Sequence, residues 1–540
     1  MARPIGWIGI SHTIVTPSFR ISSRRAVTPA RVPGGEKTRG KTSYTIPSRG
    51  HWGAGRAARA MRAMLARALV LGWPFRETTL RKRWEGPGGG REVLLMAYPL
   101  ILGHLSFTIQ TFVDRLFLTW YSAEAVAGAV TSLFTVWSLI ALFTGTGEYL
   151  TTFVAQYFGA GRSERIGPAV WQGVYFSLAA GVLVAALAPL AEPIFGFAGH
   201  DPRVRTYEVE YARILMGGAF PVVLMATLST FFAGRGNMLV ILCVNVLATA
   251  VNVVLDYLWI FGKAGFPRWG VAGAAWATVV SQVAGAAVYA WLIARPRFRE
   301  AYRTLSGWRF EAPLFGRLLR FGMPTGLQYS IEVGAFALFM MIVGRIGTEP
   351  LAASGIAFNL NMIVFMPMVG LAVAVSSLVG RYLGSGKPDL AERTVYSAFG
   401  MSLLYMLACG ALYVLGSGPL LAPYAAGADP AAFAGVAAIA SVLLRFVAVY
   451  SIFDMMNLIF AAGLKGAGDT VYPLGLTVVL SWSAMLLPGY VACVLLGGGV
   501  YVAWSAASAY VILLGLLMVR RFRAGRWKSL RVIEERAPGL

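Results

Sequence analysis

The sequence predicts an all-α integral membrane protein: twelve transmembrane helices in two parallel six-helix repeats. Three observations carry that prediction. Of 540 residues, 57% are hydrophobic and only 13% charged, more apolar surface than a soluble chain of this size can hide. Apolar segments long enough to cross a bilayer core, about 20 residues each, recur along the chain. The chain also repeats itself. Residues 99–161 fall on 324–386 without a gap: Pro99 meets Pro324, Glu124 meets Glu349, and Tyr157, Gly159 and Gly161 meet Tyr382, Gly384 and Gly386. Further on, Ala233-Gly234 falls on Ala462-Gly463 and Gly270-Val271 on Gly499-Val500.

In chain order, residues 1–90 form a basic extension with 17 Lys or Arg against 3 acids, rich in Pro, Gly, Ser and Arg and lacking an apolar period. That is the composition of a disordered segment, and a mis-called start is expected, with Met61 or Met64 as the true first residue. The N-lobe, 91–294, has expected spans near 92–118, 126–151, 168–190, 208–232, 238–261 and 271–294. A linker, 295–315, carries Arg295, Arg297, Arg299, Arg303 and Arg309. The C-lobe, 316–519, has expected spans near 316–345, 352–381, 394–417, 432–462, 472–495 and 500–519. The tail, 520–540, carries Arg520, Arg521, Arg523, Arg526, Lys528 and Arg531. Positive loops stay in the cytoplasm, so linker, tail and both termini are expected inside. The loops then facing outward at 119–125, 346–351, 418–431 and 496–499 contain no Lys or Arg; Arg203, Arg205, Lys263 and Arg268 in two other outward loops dissent. Two halves that both start inside are parallel repeats about an axis along the membrane normal, a plan used by secondary transporters. Pro99 and Pro324 can each bend the first helix of a half, and small residues at 270–278 allow close helix packing.

The three cysteines, Cys243, Cys409 and Cys493, lie in apolar segments and suggest no disulfide framework. The histidines at 12, 51, 104 and 200 have no metal-ligand spacing, so no metal is expected. Charge inside a span is costly and needs an explanation. The acidic cases are Asp114, Glu148 and Asp256 in the first half, Glu332 and Asp454 in the second. A buried carboxylate is protonated or balanced by a cation, and either state suits a carrier that loads H⁺ or Na⁺. Asn252 and Asp256, four residues apart, share a helix face. With Asp114 and Thr278 they could supply oxygen ligands to a hard cation. Tyr450 and Asp454 have the same spacing, and Glu332 could face them. Each acid also has a structural reading: Asp114 could pair with the adjacent Arg115, Asp256 could be solvated near its span end, and Glu148 could pair with a neighbouring helix. Arg213 and Arg445 suit interfacial or packing roles, and His104 packing.

The segments FVDRLFL, VAQYFGAGR, NVVLDYLWIFGKAGFPRWGVAGAAWAT and AAGLKGAGDT, in this order, resemble the MATE multidrug and toxic compound extrusion transporters, in particular their NorM-like branch. The resemblance covers about 91–520. It implies two six-helix lobes in a V-shaped bundle and antiport of organic cations against H⁺ or Na⁺. It also implies an N-lobe cation site of Asp114, Asn252, Asp256 and Thr278 and a C-lobe site of Glu332, Tyr450 and Asp454. Two positions depart from the family pattern: Arg115 follows the first-helix acid, and Ala226 stands where some relatives place an Asn in span 4.

The expected protein is therefore a monomeric antiporter of the bacterial inner membrane that exports small organic cations and needs no cofactor beyond its coupling ion. The alternative is a flippase of a lipid-linked precursor on a related fold, which should show a cationic cavity. An enzyme would need a nucleophile with its base or a paired-histidine metal site, and a channel a ring of equivalent filter residues. Here Phe339 falls opposite Asp114 and Phe107 opposite Glu332. No nucleic-acid partner is expected. A chain beginning at Met64 should insert and transport like the full one; membrane fractionation and dye efflux of the two side by side check this.

Overall fold

The computed structural model describes residues 84–425 and 430–534, all within one compact unit, Pro74–Leu540. Almost all of the basic extension, including Met61 and Met64, lies outside the described residues. All regular structure among the described residues is helical. Among the described residues, eleven helices are long and apolar enough to span a bilayer, and a bent pair, taken as one span, makes a twelfth. In the N-lobe they are α1 (Gly90–Tyr121), α2 (Ala123–Gly159), α3 (Ser163–Phe197), α4 (Pro202–Gly217 with Ala219–Ala233), α5 (Met238–Phe261) and α6 (Val271–Ile293). In the C-lobe they are α7 (Ala312–Ile346), α8 (Thr348–Gly384), α9 (Pro388–Leu415), α10 (Phe433–Ala467), α11 (Val471–Leu495) and α12 (Val500–Arg523).

Local chemistry explains the helix ends. Ser122 caps α2 by accepting the Ala125 N–H at 3.0 Å, and Asp201 caps α4 ahead of Pro202 at its first position. Gly262 closes α5 in the left-handed conformation, φ 65°. Two spans differ from the expected straight helices. α4 begins earlier, at Pro202, and bends by 48° at Gly217-Gly218. The cause is written three residues on: Pro221 has no N–H for the Gly217 carbonyl, and its ring crowds that turn. In α11, two wide π-turns, Ser481–Leu486 and Val491–Leu495, flank Pro488. Pro99 and Pro324 sit inside continuous helices.

The lobes meet along α1, α2, α7 and α8, at the end of the bundle that also holds the linker and the tail, here called the linker face. Glycine sets the approach. A Cβ on Gly159 of α2 would overlap the Arg381 carbonyl of α8, and one on Gly384 of α8 would overlap the Gln156 carbonyl of α2. These two contacts are each other's repeat equivalents, so the pseudo-two-fold axis passes between α2 and α8. A second pair obeys the same relation: Gly326 of α7 packs on Leu142 and Gly145 of α2, and Gly370 of α8 on Ile101 of α1. Side chains reinforce the seam. Ser330 Oγ donates to the Ser138 carbonyl at 2.7 Å, Tyr149 OH to the Lys465 carbonyl at 3.0 Å, and Gln156 Nε2 to the Gly466 carbonyl at 3.1 Å.

Crossings this close leave no room for a methyl group. Gly326→Ala and Gly384→Ala should each lower the stability of the purified protein by about 1–3 kcal/mol, read as a lower Tm, whereas Gly355→Ala, with open space around its Cα, should not.

Candidate functional site

Three N-lobe helices bring the first cluster together. Asp114 lies on α1, Asn252 and Asp256 on α5 and Thr278 on α6. Asn252 and Asp256 are fully buried, so Asp256 is not the solvated span-end residue that its position allowed. The four-residue spacing places both on the face of α5 that turns toward α1. Acceptors on two sides orient the Asn252 amide. Its Nδ2 donates to Asp114 Oδ1 at 3.0 Å and to Asp256 Oδ2 at 3.1 Å. The remaining amide atom is 3.5 Å from Thr278 Oγ1, and it is therefore the oxygen. The four residues expected from sequence do meet, but Asn252 clamps the two carboxylates through its NH₂ group instead of turning its oxygen toward them. Asp256 Oδ1 has no hydrogen-bond partner. Arg115 is exposed and forms no ion pair with Asp114, one residue before it.

Sequence reasoning missed Tyr211. It is buried on α4 beside Thr278, Asp114 and Asp256, and it is the side chain that α4 adds to the cluster. Tyr211 carries no charge and no short spacing to the other members that would mark it in the sequence. One turn earlier, the fully buried Glu208 holds His200 Nδ1 at 2.7 Å.

The C-lobe cluster joins α7, α10 and α11. Glu332 Oε1 accepts from Gln328 Nε2 at 2.8 Å and lies 3.5 Å from Thr477 Oγ1. Asp454 faces Glu332 and Asn457, and the buried Tyr450 lies beside Asp454. The Tyr450 ring packs on Trp504, centroids 6.3 Å apart. Trp504 in turn stacks on Phe358 at 4.7 Å and donates to Ser354 Oγ at 2.9 Å. Gln328, Asn457, Thr477 and Lys465, which is close to Glu332, are all additions to the expected trio. The i, i+4 spacing that marked Asn252 would also have marked Gln328 beside Glu332. Gln328 Oε1 and Asn457 Oδ1 have no partner, so each lobe offers an unsatisfied oxygen next to its carboxylates.

Glu148 of α2 is exposed. Tyr329 is close to both Glu148 and Glu332 and accepts from Trp137 Nε1 at 3.4 Å. The remaining structural readings are simple: Arg213 pairs with Glu192 at 2.8 Å on the surface, and Arg445 is exposed.

Comparison with known proteins identifies the family and the fold. The MatE family profile matches residues 99–258 and again 324–491, once in each lobe. A probable multidrug resistance protein NorM of Thermotoga maritima is 26% identical over 455 residues, covering 83% of this chain and 95% of its own. A NorM homologue from Rhizobium meliloti is 29% identical over 393 residues, 73% of this chain and 84% of its own. Among solved structures, a MATE protein in complex with MaL6 superposes with TM-score 0.74 at 21% identity, covering 83% of this chain and 98% of its own. An outward-facing multidrug resistance MATE transporter also gives 0.74 at 21%, covering 84% and 100%.

The clamp at Asn252 has a measurable consequence. Asn252→Ala removes both donors and leaves two buried carboxylates facing each other, which should cost about 1–3 kcal/mol and lower the Tm of the purified protein. Tyr211→Phe, which keeps the ring, should shift the Tm by less than half as much.

Proposed function

Because this chain belongs to the MatE family, we propose that it is a multidrug efflux transporter of the bacterial inner membrane, exporting small organic cations in exchange for H⁺ or Na⁺. The observation that carries the proposal is the carboxylate pair in each lobe, Asp114 with Asp256 and Glu332 with Asp454, sequestered within the spans. Two carboxylates side by side and away from water do not both stay ionised without a cation between them. Each pair therefore needs a proton or a metal cation, and loses it when an organic cation competes for the negative charge.

The residues divide the work. Asn252 holds Asp114 and Asp256 together, and rotation of its amide would exchange two donors for an oxygen ligand. That rotation gives the site a way to accept either a proton or Na⁺. Gln328 and Thr477 hold Glu332 while Asp454 lies opposite. Lys465 lies close to Glu332. An organic cation entering between the lobes near Tyr329 would find Tyr329, Trp137 and Tyr450 as aromatic faces and Glu148 and Glu332 as counter-charges. The arginines of the linker and the tail support a cytoplasmic linker face. The lobes are closed there, which gives the outward-facing state.

Dye efflux from proteoliposomes, with a proton gradient or a Na⁺ gradient imposed separately, tests this reading. One gradient should drive export, and Asp114→Asn and Glu332→Gln should each reduce the driven rate by about tenfold or more at equal protein abundance. Export that ignores both gradients, or wild-type rates in both variants, would refute it. Asp114→Asn combined with Arg115→Thr should stay inactive, since the two residues are not partners.

A further inference from the structure

Beyond the transport site, the tail after α12 leaves the C-lobe and reaches the N-lobe at Val532 and Glu534. Its first half is fixed to the C-lobe. Trp527 is fully buried, stacks on Phe522 at 4.6 Å and donates Nε1 to the Phe522 carbonyl at 2.8 Å. Lys528 pairs with Glu392 of α9 at 2.5 Å. The chain then crosses the seam. The Val532 N–H donates to Gln156 Oε1 of α2 at 3.0 Å, and the Val532 side chain is buried. Glu534 accepts from Tyr157 OH at 2.7 Å, pairs with Arg162 at 2.7 Å and Arg165 at 3.2 Å, and pairs with Arg317 of α7 at 2.6 Å.

The repeat shows what this carboxylate replaces. Tyr382, the C-lobe equivalent of Tyr157, donates directly to Glu92 at the start of α1, at 2.6 Å. That bond joins the lobes on one side of the pseudo-axis. The equivalent of Glu92 is Arg317, which cannot accept from Tyr157. On that side the carboxylate comes from the tail instead, with Arg317 as its counter-ion. Two carboxylate–tyrosine bonds thus tie the lobes symmetrically, one intrinsic to the repeat and one supplied by Glu534.

We propose that Glu534 is a gating residue of the transport cycle: the tail is a strap across the linker face, and its carboxylate must leave the Tyr157–Arg162–Arg165–Arg317 pocket before that face can open. The cytoplasmic assignment of the face rests on the function proposed above; the strap's effect on the distance between the lobes does not. The strap is not a pH device. Burial alone would push the Glu534 carboxyl up, but the Tyr157 hydroxyl, its own backbone N–H and the Arg317 guanidinium hold it at about 2. A depressed carboxylate keeps its partners above the ordinary range and loses them only as pH falls toward that value.

Pulsed EPR distances between spin labels at Glu164→Cys and Lys387→Cys, two exposed linker-face positions on opposite lobes, test the strap. Cys243, Cys409 and Cys493 are first replaced by Ser, and no gradient or substrate is present, so the outcome is independent of transport. With Glu534 intact one short distance should dominate, unchanged between about pH 5 and 8. Glu534→Gln should raise the ratio of long to short distances by about tenfold, and Tyr157→Phe should shift it the same way by less. Arg317→Glu in the Glu534→Gln background rebuilds the arrangement of the other lobe and should restore the short distance. Unchanged distributions in Glu534→Gln and Tyr157→Phe would overturn the proposal, as would a double variant as open as the single one.

Discussion

Everything else in this protein hangs on two helices crossing backbone to backbone. Where α2 meets α8, Gly159 and Gly384 each sit against the other helix's carbonyl oxygen, a distance that no side chain tolerates. Because the two contacts are repeat equivalents, they also define the axis that relates the lobes. From this closed seam α1, α2, α7 and α8 run toward the opposite face, with Glu148 and Glu332 both close to Tyr329 and Asp114 and Asp256 together within the N-lobe. Dispersion and close approach hold transmembrane helices together where lipid offers no hydrophobic drive, so a glycine seam is a natural place to put a joint that must both seal and part.

Within this symmetric frame the chemistry is unlike. At the position equivalent to Asp114, the C-lobe has Phe339, packed edge-on against Trp504 and Phe358. At the position equivalent to Glu332, the N-lobe has Phe107, which packs near Trp137. Asp114 and Glu332 thus each stand where the other lobe carries an aromatic ring. Glu92 and Arg317 show the same divergence on the linker face, with opposite charges at one structural position and a third residue making up the difference. Symmetry preserves what backbone geometry needs, and side chains vary around it.

Several site residues were legible because helix geometry is periodic. Asn252 with Asp256 and Tyr450 with Asp454 share faces by spacing alone, and the bilayer makes every mid-span acid conspicuous. Gln328 was equally legible by the same spacing. Tyr211 was not legible, since it meets Asp114, Asp256 and Thr278 only through the packing of separate helices. The orientation of the Asn252 amide was not legible either. It follows from two acceptors on different helices, and only their meeting in space decides which end of the amide faces them.

The sequence by itself determined the twelve spans, the parallel duplication and the acids' helix faces, because hydrocarbon thickness and the helical period act on neighbours along the chain. Only the tertiary structure decided which of those faces meet. Tyr157 and Glu534 are 377 residues apart, and no period or composition connects them. Their bond exists because the glycine seam brings α2 beside α7 and the C-lobe, and because Trp527 and Lys528 aim the tail across the gap. Contacts of that kind are set by the close packing of whole lobes, which the local pattern of residues does not encode.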